Sequence, residues 1–184
     1  LWHDDELIKL VEYLVPVFSV HLSFCFSHRQ VICGCKLIQQ AEFFMCLRDR
    51  VLVYGDCAIN PNPNAQQLAD IAIGSAETAT MFDIEPRVAM LSYSNFGSVR
   101  DEETRRVAKA VTLAREKNPS LVIDGEMQAD TAVTAGILDG DFAFNRMGGP
   151  ANVLVFPDLA SANIAYKLMN RLGGAKTVGP LLMG

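Results

Sequence analysis

The residues best suited to chemistry in this sequence follow four short apolar runs. The runs cover positions 51–54, 88–92, 121–123 and 152–156, and β-branched residues are frequent in them. Ligands of open α/β sheets bind beside the carboxyl ends of the strands, so the polar residues after each run are the first candidates for a site. After the second and third runs the candidates are Ser94, Asn95, Gly97, Ser98, Asp124, Glu126 and Gln128.

The segment Ser-Asn-Phe-Gly-Ser at 94–98 has a composition that suits anion binding. Small hydroxyl residues and glycine allow backbone N–H groups to approach an anion such as phosphate. The alternative is an ordinary strand-to-helix turn, in which Ser98 or Asp101 caps the following helix. The pattern alone does not exclude either structure.

Three acidic residues, Asp124, Glu126 and Asp130, lie within seven positions. If they share a cleft, their mutual repulsion could make one of them a proton carrier, or the set could hold a cation. The alternative is structural. In that case Asp130 caps a helix that begins at Thr131, and Glu126 is solvated.

Asn163 and Lys167 are one turn apart on a later predicted helix, near its positive N-terminal end. They could contact phosphate or CoA. Alternatively, Lys167 is an exposed lysine whose stem covers apolar surface. Cys57, three residues after the end of the first run, is either a thiol beside the ligand or a small buried residue.

Metal and cofactor motifs are not found. His21, Cys25, His28, Cys33 and Cys35 lack the paired spacing that marks zinc sites, so we predict no metal site. The sequence has no dinucleotide-binding glycine motif, Walker loop or nucleophile elbow. Dinucleotide-binding, nucleotide-hydrolysing and serine-hydrolase functions therefore have no support.

The elements that must position these residues alternate between strands and helices. Helical patterns at 65–82, 102–117 and 160–172 separate the apolar runs, and a last strand is predicted at 177–183. Asn64 stands at the predicted N-cap of the first of these helices. This alternation predicts an α/β fold, an open sheet covered by helices.

Residues 1–49 do not continue this pattern. A helix is predicted at 4–14, but no sustained period or chemistry is identified, so the segment is left unassigned and could be non-native or disordered. The α/β domain is predicted to cover 50–184.

Composition excludes several classes of function. With 16 Lys and Arg against 21 Asp and Glu the net charge is −5, which argues against nucleic-acid binding. The apolar stretch 14–26 contains Pro16 and His21 and is too short to span a membrane. Five irregularly spaced cysteines indicate reduced thiols and a cytoplasmic protein, and the acidic N-terminal residues do not resemble a targeting peptide.

From residue 50 onward the sequence resembles the phosphate acetyltransferase and phosphate butyryltransferase family. About 135 residues carry the resemblance, in the order of the family. The matching segments are YGDCAINPNP at 54–63, PRVAMLSYS at 86–94, DGEMQAD at 124–130, ANVLVFPDL at 151–159, NIAYK at 163–167 and VGPLLMG at 178–184.

The resemblance implies a mixed-sheet fold like that of isocitrate and isopropylmalate dehydrogenases, with helices on both faces, present here in part. It also implies acyl transfer from CoA to inorganic phosphate, by attack of phosphate on the thioester carbonyl. The loop 94–98, Asn163 and Lys167 would then bind phosphate or the developing oxyanion. Acetyl-CoA, CoA and phosphate are the expected ligands, no tightly bound cofactor is implied, and a homo-oligomer is expected.

Within the family, the loop 94–98 is more similar to the C-terminal domain of bacterial NADP-dependent malic enzymes than to stand-alone transferases. We therefore expect a regulatory acetyl-CoA-binding domain of a fused malic enzyme. The alternatives are an active stand-alone phosphate acetyltransferase and a non-catalytic oligomerisation domain.

In active members a Pro-x-Asn-Asp-Leu-Ser-Arg segment after the last strand carries catalytic Asp and Arg residues. This segment would follow Gly184, so no catalytic residue is transferred and the domain is expected to be truncated there.

Overall fold

The computed structural model describes residues 39–183 and the backbone of two short strands before them. The strands are β1 (Ile32–Cys33), β2 (Lys36–Leu37), β3 (Gln40–Cys46), β4 (Val51–Gly55), β5 (Val88–Leu91), β6 (Ile123–Met127), β7 (Val153–Val155) and β8 (Lys176–Met183). The helices are α1 (Ala65–Met81), α2 (Glu102–Lys117), α3 (Ala129–Val133), α4 (Ala135–Asp141) and α5 (Leu159–Arg171).

Six strands form one mixed sheet in the order β6-β5-β7-β4-β3-β8. The first four strands in this order are parallel, and β3 is antiparallel to both of its neighbours. The carboxyl ends of β4, β5, β6 and β7 therefore lie along one edge of the sheet, which we call the carboxyl edge. Because Gln40 pairs with Met183, the start of β3 and the end of β8 lie at this edge too.

Helices cover both faces of the sheet, which confirms the predicted open mixed α/β architecture. Successive residues of a strand point to opposite faces, and in β4 Val53 joins one apolar cluster while Leu52 and Tyr54 join the other. The first cluster is closed by α1 and α2 through residues such as Leu68 and Val107. The second cluster is closed by the shorter helices and α5. Its helical members are Ala132, Leu138 and Ala162.

The long helices begin at side-chain caps, which the sequence predicts for Asn64 and, as one of two alternatives, for Asp101. The Asn64 side chain accepts hydrogen bonds from the backbone N–H groups of Gln66 and Gln67, and the Gln67 side chain accepts from the N–H of Asn64. Asp101 caps α2 by accepting from Thr104, and Asp158 caps α5 by accepting from Ser161. These bonds satisfy N–H groups that have no partner within the helix, so the helix starts are determined locally.

Two strands differ from the prediction. The run at 121–123 is predicted as a strand, but Leu121 lies in a turn, where its N–H donates to Asn118, and β6 extends from Ile123 to Met127. Strand β3 lies within the unassigned segment 1–49 and is buried along its whole length. The sequence does not predict β3 as a strand, because a buried strand is usually recognised by an apolar run and the polar residues Gln40 and Glu42 interrupt this one.

Some predictions fall outside the described residues. These are the helix at 4–14, the apolar stretch at 14–26 and the side chains of His21, Cys25, His28, Cys33 and Cys35. Within the part of the chain that the structure describes, no helix combines the length and the apolar character that a membrane crossing requires.

Candidate functional site

The turn after β4 is organised by the Asp56 carboxylate. This buried group accepts hydrogen bonds from the backbone N–H groups of Ile59 and Asn60, both at 2.9 Å, and from the Asn60 side chain at 2.5 Å. The backbone N–H of Ala41 in β3 also donates to Asp56, at 3.4 Å. One carboxylate thus fixes the turn and attaches it to the neighbouring strand.

The loop after β5 has its backbone donors turned inward. Five consecutive N–H groups, from Asn95 to Val99, each find an acceptor inside the protein. Asn95 donates to the Ser98 hydroxyl, Val99 donates to the Ser94 hydroxyl, and Ser98 donates to the Asn95 carbonyl. The predicted ordinary turn is therefore present, and Asp101, rather than Ser98, caps the helix that follows.

Glu126 supplies the remaining acceptors of this loop. Its Oε1 accepts from the Ser94 hydroxyl at 2.9 Å and from the Gly97 N–H at 2.6 Å, and its carbonyl oxygen accepts from the Phe96 N–H at 2.8 Å. Glu126 is buried, with 3% of its surface exposed, so the alternative in which Glu126 is solvated is wrong.

The chain at Glu126 takes an irregular path that brings its side chain to the loop. Met90 pairs with Gly125 and Leu91 pairs with Met127, so Glu126 is an extra residue in the strand pairing. A Cβ atom at Gly125 would come within 2.6 Å of the Met90 carbonyl oxygen, so only glycine fits there. A bulge of this kind redirects a side chain, and here it directs Glu126 to the loop.

Gln128 completes the contact between the loop and the end of β6. Its backbone N–H donates to Asn95 Oδ1 at 2.7 Å, and its Nε2 donates to the Tyr93 carbonyl at 2.8 Å. Six of the predicted site residues are therefore brought together at the carboxyl edge. They are Ser94, Asn95, Gly97, Ser98, Glu126 and Gln128.

The three acidic residues do not form a shared cluster. Asp124 pairs with Arg115, Nη2 to Oδ1 at 2.7 Å, and it also accepts from the backbone N–H of Arg146. Asp130 accepts from the N–H of Thr131, but the N-cap of that helix is Gln128. Within residues 39–183, no group of three or more His, Cys, Asp and Glu residues is arranged to hold a metal ion.

Asn163 and Lys167 lie on α5, and neither side chain forms a hydrogen bond to the loop 94–98. Asn163 Nδ2 donates to the Cys57 carbonyl at 3.5 Å, so it faces the turn after β4. Lys167 is exposed, and its Nζ lies 5.8 Å from the centroid of the Tyr166 ring.

Cys57 is fully buried, and burial raises the pKa of its thiol well above the usual range. The structure favours the small buried residue over a reactive thiol.

Arg106 is a site residue that the sequence analysis missed. It projects from α2 and donates to the carbonyl of Pro63 at 3.0 Å and to that of Pro157 at 3.2 Å. These carbonyls belong to the turns after β4 and β7, so one guanidinium joins both turns to the helix that follows the loop 94–98. Arg106 lines a cleft of about 420 Å³ with Asn62, Glu102, Glu103 and Asp158. An arginine on a helix surface has no distinctive sequence signal, because its partners are backbone carbonyls distant in sequence.

The four turns thus lie along the carboxyl edge in two linked pairs. The turns after β5 and β6 are joined through Glu126, and those after β4 and β7 through Arg106. A separate groove of about 450 Å³ lies at the opposite edge, where its lining includes Pro86 and Val122, just before β5 and β6.

Comparisons with known proteins agree with this architecture. The family described as "Phosphate acetyl/butaryl transferase" matches residues 29–184. A phosphate acetyltransferase of Bacillus subtilis is 50% identical over 142 residues, which are 77% of this chain and 44% of that protein. A phosphate acetyltransferase of Escherichia coli is 49% identical over 151 residues, 82% of this chain and 21% of that protein.

A solved structure is similar as well. The EutD phosphotransacetylase from Staphylococcus aureus superimposes with a TM-score of 0.76 at 43% identity, over 79% of this chain and 45% of that protein. The chain therefore spans less than half the length of these relatives. The family match covers most of the chain, including β3 and every element of the carboxyl edge. The chain belongs to the phosphate acetyltransferase and butyryltransferase family.

Proposed function

We propose that this chain is part of a phosphate acetyltransferase, which transfers an acyl group between CoA and inorganic phosphate. The observation that carries the proposal is the loop 94–98 at the carboxyl edge. There the Ser94 hydroxyl and the Gly97 N–H both donate to one carboxylate oxygen. A pair of donors that holds a carboxylate oxygen can also hold an oxygen of phosphate.

In the proposed reaction, an oxygen of phosphate attacks the carbonyl carbon of the thioester. A C–O bond forms, a tetrahedral oxyanion develops, and the C–S bond then breaks. The CoA sulfur leaves and takes up a proton, and the product is an acyl phosphate. Fixed donors at the position of developing negative charge lower the barrier of such a step, because they need no reorganisation during the reaction.

The described residues suit three parts of this chemistry. In this proposal, the Ser94 hydroxyl and the Gly97 N–H orient phosphate. Asn163 and Lys167 follow the turn after β7, and we assign them to contact with the CoA, because the exposed Lys167 cation attracts phosphate groups. Arg106 holds the turns on either side at a fixed separation, and reacting groups must be positioned closely for efficient transfer.

The relatives named above support an acetyltransferase rather than a malic-enzyme domain, because all of them are transferases by name. We therefore favour the stand-alone transferase over the regulatory domain suggested by the loop 94–98. Acetyl-CoA and phosphate are the proposed substrates, and no tightly bound cofactor is needed for this mechanism. The homo-oligomer, the cytoplasmic location and the fused malic enzyme remain predictions.

The test is formation of acetyl phosphate and free CoA from acetyl-CoA and phosphate by the full-length protein. We expect turnover in the wild type. In Lys167→Met we expect the KM for acetyl-CoA to rise about tenfold, because an attractive charge is lost. Lys109→Met, which removes an exposed lysine from α2, is the matched control and should leave the KM unchanged. Absence of turnover at millimolar substrate would contradict the proposed function.

A further inference from the structure

The loop 94–98 already holds an anion, and that anion belongs to the protein. Of the acceptors that its five N–H groups contact, the Glu126 carboxylate is the only charged one. The other acceptors are hydroxyl and carbonyl oxygens. An external phosphate therefore finds no unoccupied N–H group between Asn95 and Val99 in this arrangement.

Glu126 is held there by neutral donors alone. Among residues 39–183 it forms no ion pair, and its side chain accepts only from the Ser94 hydroxyl and the Gly97 N–H. A buried carboxylate without a cation depends on its hydrogen bonds to offset the lost hydration. Its hold on the loop is therefore only as strong as the bonds from Ser94 and Gly97.

A phosphate group could use the same donors. Both a carboxylate and a phosphate present anionic oxygens that accept short hydrogen bonds from N–H and O–H groups. The two anions cannot share the Gly97 N–H, since its single hydrogen is directed at one acceptor and the two negative charges repel each other. Binding of one therefore requires displacement of the other.

We propose that Glu126 is a tethered competitor for the phosphate site of the loop 94–98 and thereby weakens the binding of inorganic phosphate. This inference rests on the proposed function and identifies a residue that determines the phosphate affinity. Because the carboxylate is attached to the same chain, its effective concentration at the loop is on the order of millimolar or higher. Phosphate must compete with the Glu126 carboxylate for these donors, whereas the uncharged thioester of acetyl-CoA does not compete with it.

Glu126→Gln in the full-length protein tests the proposal. The amide oxygen can still accept from Ser94 and Gly97, but the negative charge is lost. We expect the KM for phosphate to fall about tenfold and the KM for acetyl-CoA to stay the same. Asp139→Asn removes an equal charge from the exposed surface of α4 and should change neither constant. An unchanged or higher KM for phosphate in Glu126→Gln would overturn the proposal and leave Glu126 as a purely structural anchor.

Binding measurements separate this proposal from the proposed function. The dissociation constant of inorganic phosphate, measured by calorimetry, should also be about tenfold lower in Glu126→Gln than in the wild type. If neither protein forms acetyl phosphate but the variant binds phosphate more tightly, the competition by Glu126 is supported and the proposed function is contradicted. If the wild type forms acetyl phosphate but both proteins bind phosphate equally, only the proposed competition by Glu126 is contradicted.

A second variant covers the case in which Glu126→Gln does not fold. Glu126→Asp keeps the charge but shortens the side chain, which draws the carboxylate away from the Gly97 N–H. We expect a severalfold decrease in the KM for phosphate, smaller than that for the amide. A phosphate KM equal to that of the wild type in a folded Glu126→Asp protein would overturn the proposal.

Discussion

The backbone N–H of Gly97 donates to Glu126 Oε1 over 2.6 Å, although the two residues lie 29 positions apart. Gly97 has a φ of +85°, in the left-handed region that favours glycine. This conformation aims the N–H at the bulge of β6, so a change of residue 97 should disturb both the backbone and the hydrogen bond.

We therefore predict that Gly97→Ala is destabilising by about 1–2 kcal/mol, because an L-residue is strained at this φ. Space is not the cause, since the nearest atom to the new Cβ, Arg100 Nε, is 4.0 Å away. Urea denaturation measures the effect. Gly140→Ala, within α4 and with open space around it, is the control and should be neutral or slightly stabilising. Equal effects of the two substitutions would contradict the strain at Gly97.

Glu42 should make the stability of the protein depend on pH. Its side chain is fully buried, and this burial raises its pKa to about 8. Ser75 and Gln40 donate to Oε1, while Oε2 has no partner among the described residues. The folded protein therefore retains a proton on Glu42 at neutral pH, whereas the unfolded chain, with the ordinary pKa of 4.5, does not.

The sign follows from proton binding. Between pH 4.5 and about 8 the folded state binds one proton more than the unfolded state, so raising the pH lowers the free energy of unfolding. The expected slope is about 1.4 kcal/mol per pH unit in this window. Glu42→Gln should remove this contribution, which denaturation at several pH values would reveal. The same slope in both proteins would show that Glu42 is ionised in the folded state.

Arg106 should be required for the arrangement of the turns after β4 and β7. Arg106→Met removes the donors to Pro63 and Pro157 and leaves two carbonyls without these partners. We expect a loss of about 1–3 kcal/mol in stability and a lower kcat. Arg106→Lys should recover part of both, because a single ammonium can reach fewer acceptors.

The neighbouring Arg105 provides the control for this prediction. Its side chain is exposed and donates only to the Arg100 carbonyl, at 3.4 Å, among the described residues. Arg105→Met removes the same charge from the same helix and should have little effect on stability or kcat. If Arg105→Met and Arg106→Met behave alike, the loss is due to charge and not to the joining of the turns.

Two ion pairs of α2 should differ in strength because they differ in burial. The Asp124 side chain is 8% exposed and pairs with Arg115 over 2.7 Å, whereas Asp70 and Lys117 form an exposed pair. We expect Asp124→Asn to cost about 1–3 kcal/mol, since it also weakens the acceptor for the Arg146 N–H. Asp70→Asn should cost less than about 1 kcal/mol. Thermal unfolding of the two variants would contradict this ranking if their melting temperatures fell equally.

Local signals in the sequence were sufficient for much of the fold. Asn64 and Asp101 precede α1 and α2 as side-chain caps, and the predicted helix 102–117 matches α2 at both ends. These features depend on residues within one turn of each other, so they can be derived without knowledge of distant contacts.

The missed features depend on contacts between distant segments. Glu42 can lie inside β3 only because Ser75 of α1 donates to it, and no local pattern reveals that partner. The sequence places Ser94 and Glu126 each just after a predicted strand. It does not show that the Ser94 hydroxyl donates a hydrogen bond to the Glu126 carboxylate. The same reasoning applies to Arg106, whose acceptors are backbone carbonyls in two other turns.

The most direct test of the central claim, that phosphate binds at the carboxyl edge, is an amide NMR titration of the isotope-labelled protein with inorganic phosphate. We predict that the largest shift occurs at the N–H group of Gly97, because it contacts the Glu126 carboxylate and would contact phosphate after displacement of that carboxylate. Shifts confined to the groove at the opposite edge, around Met81 and Leu121, or no shifts at millimolar phosphate, would contradict the claim.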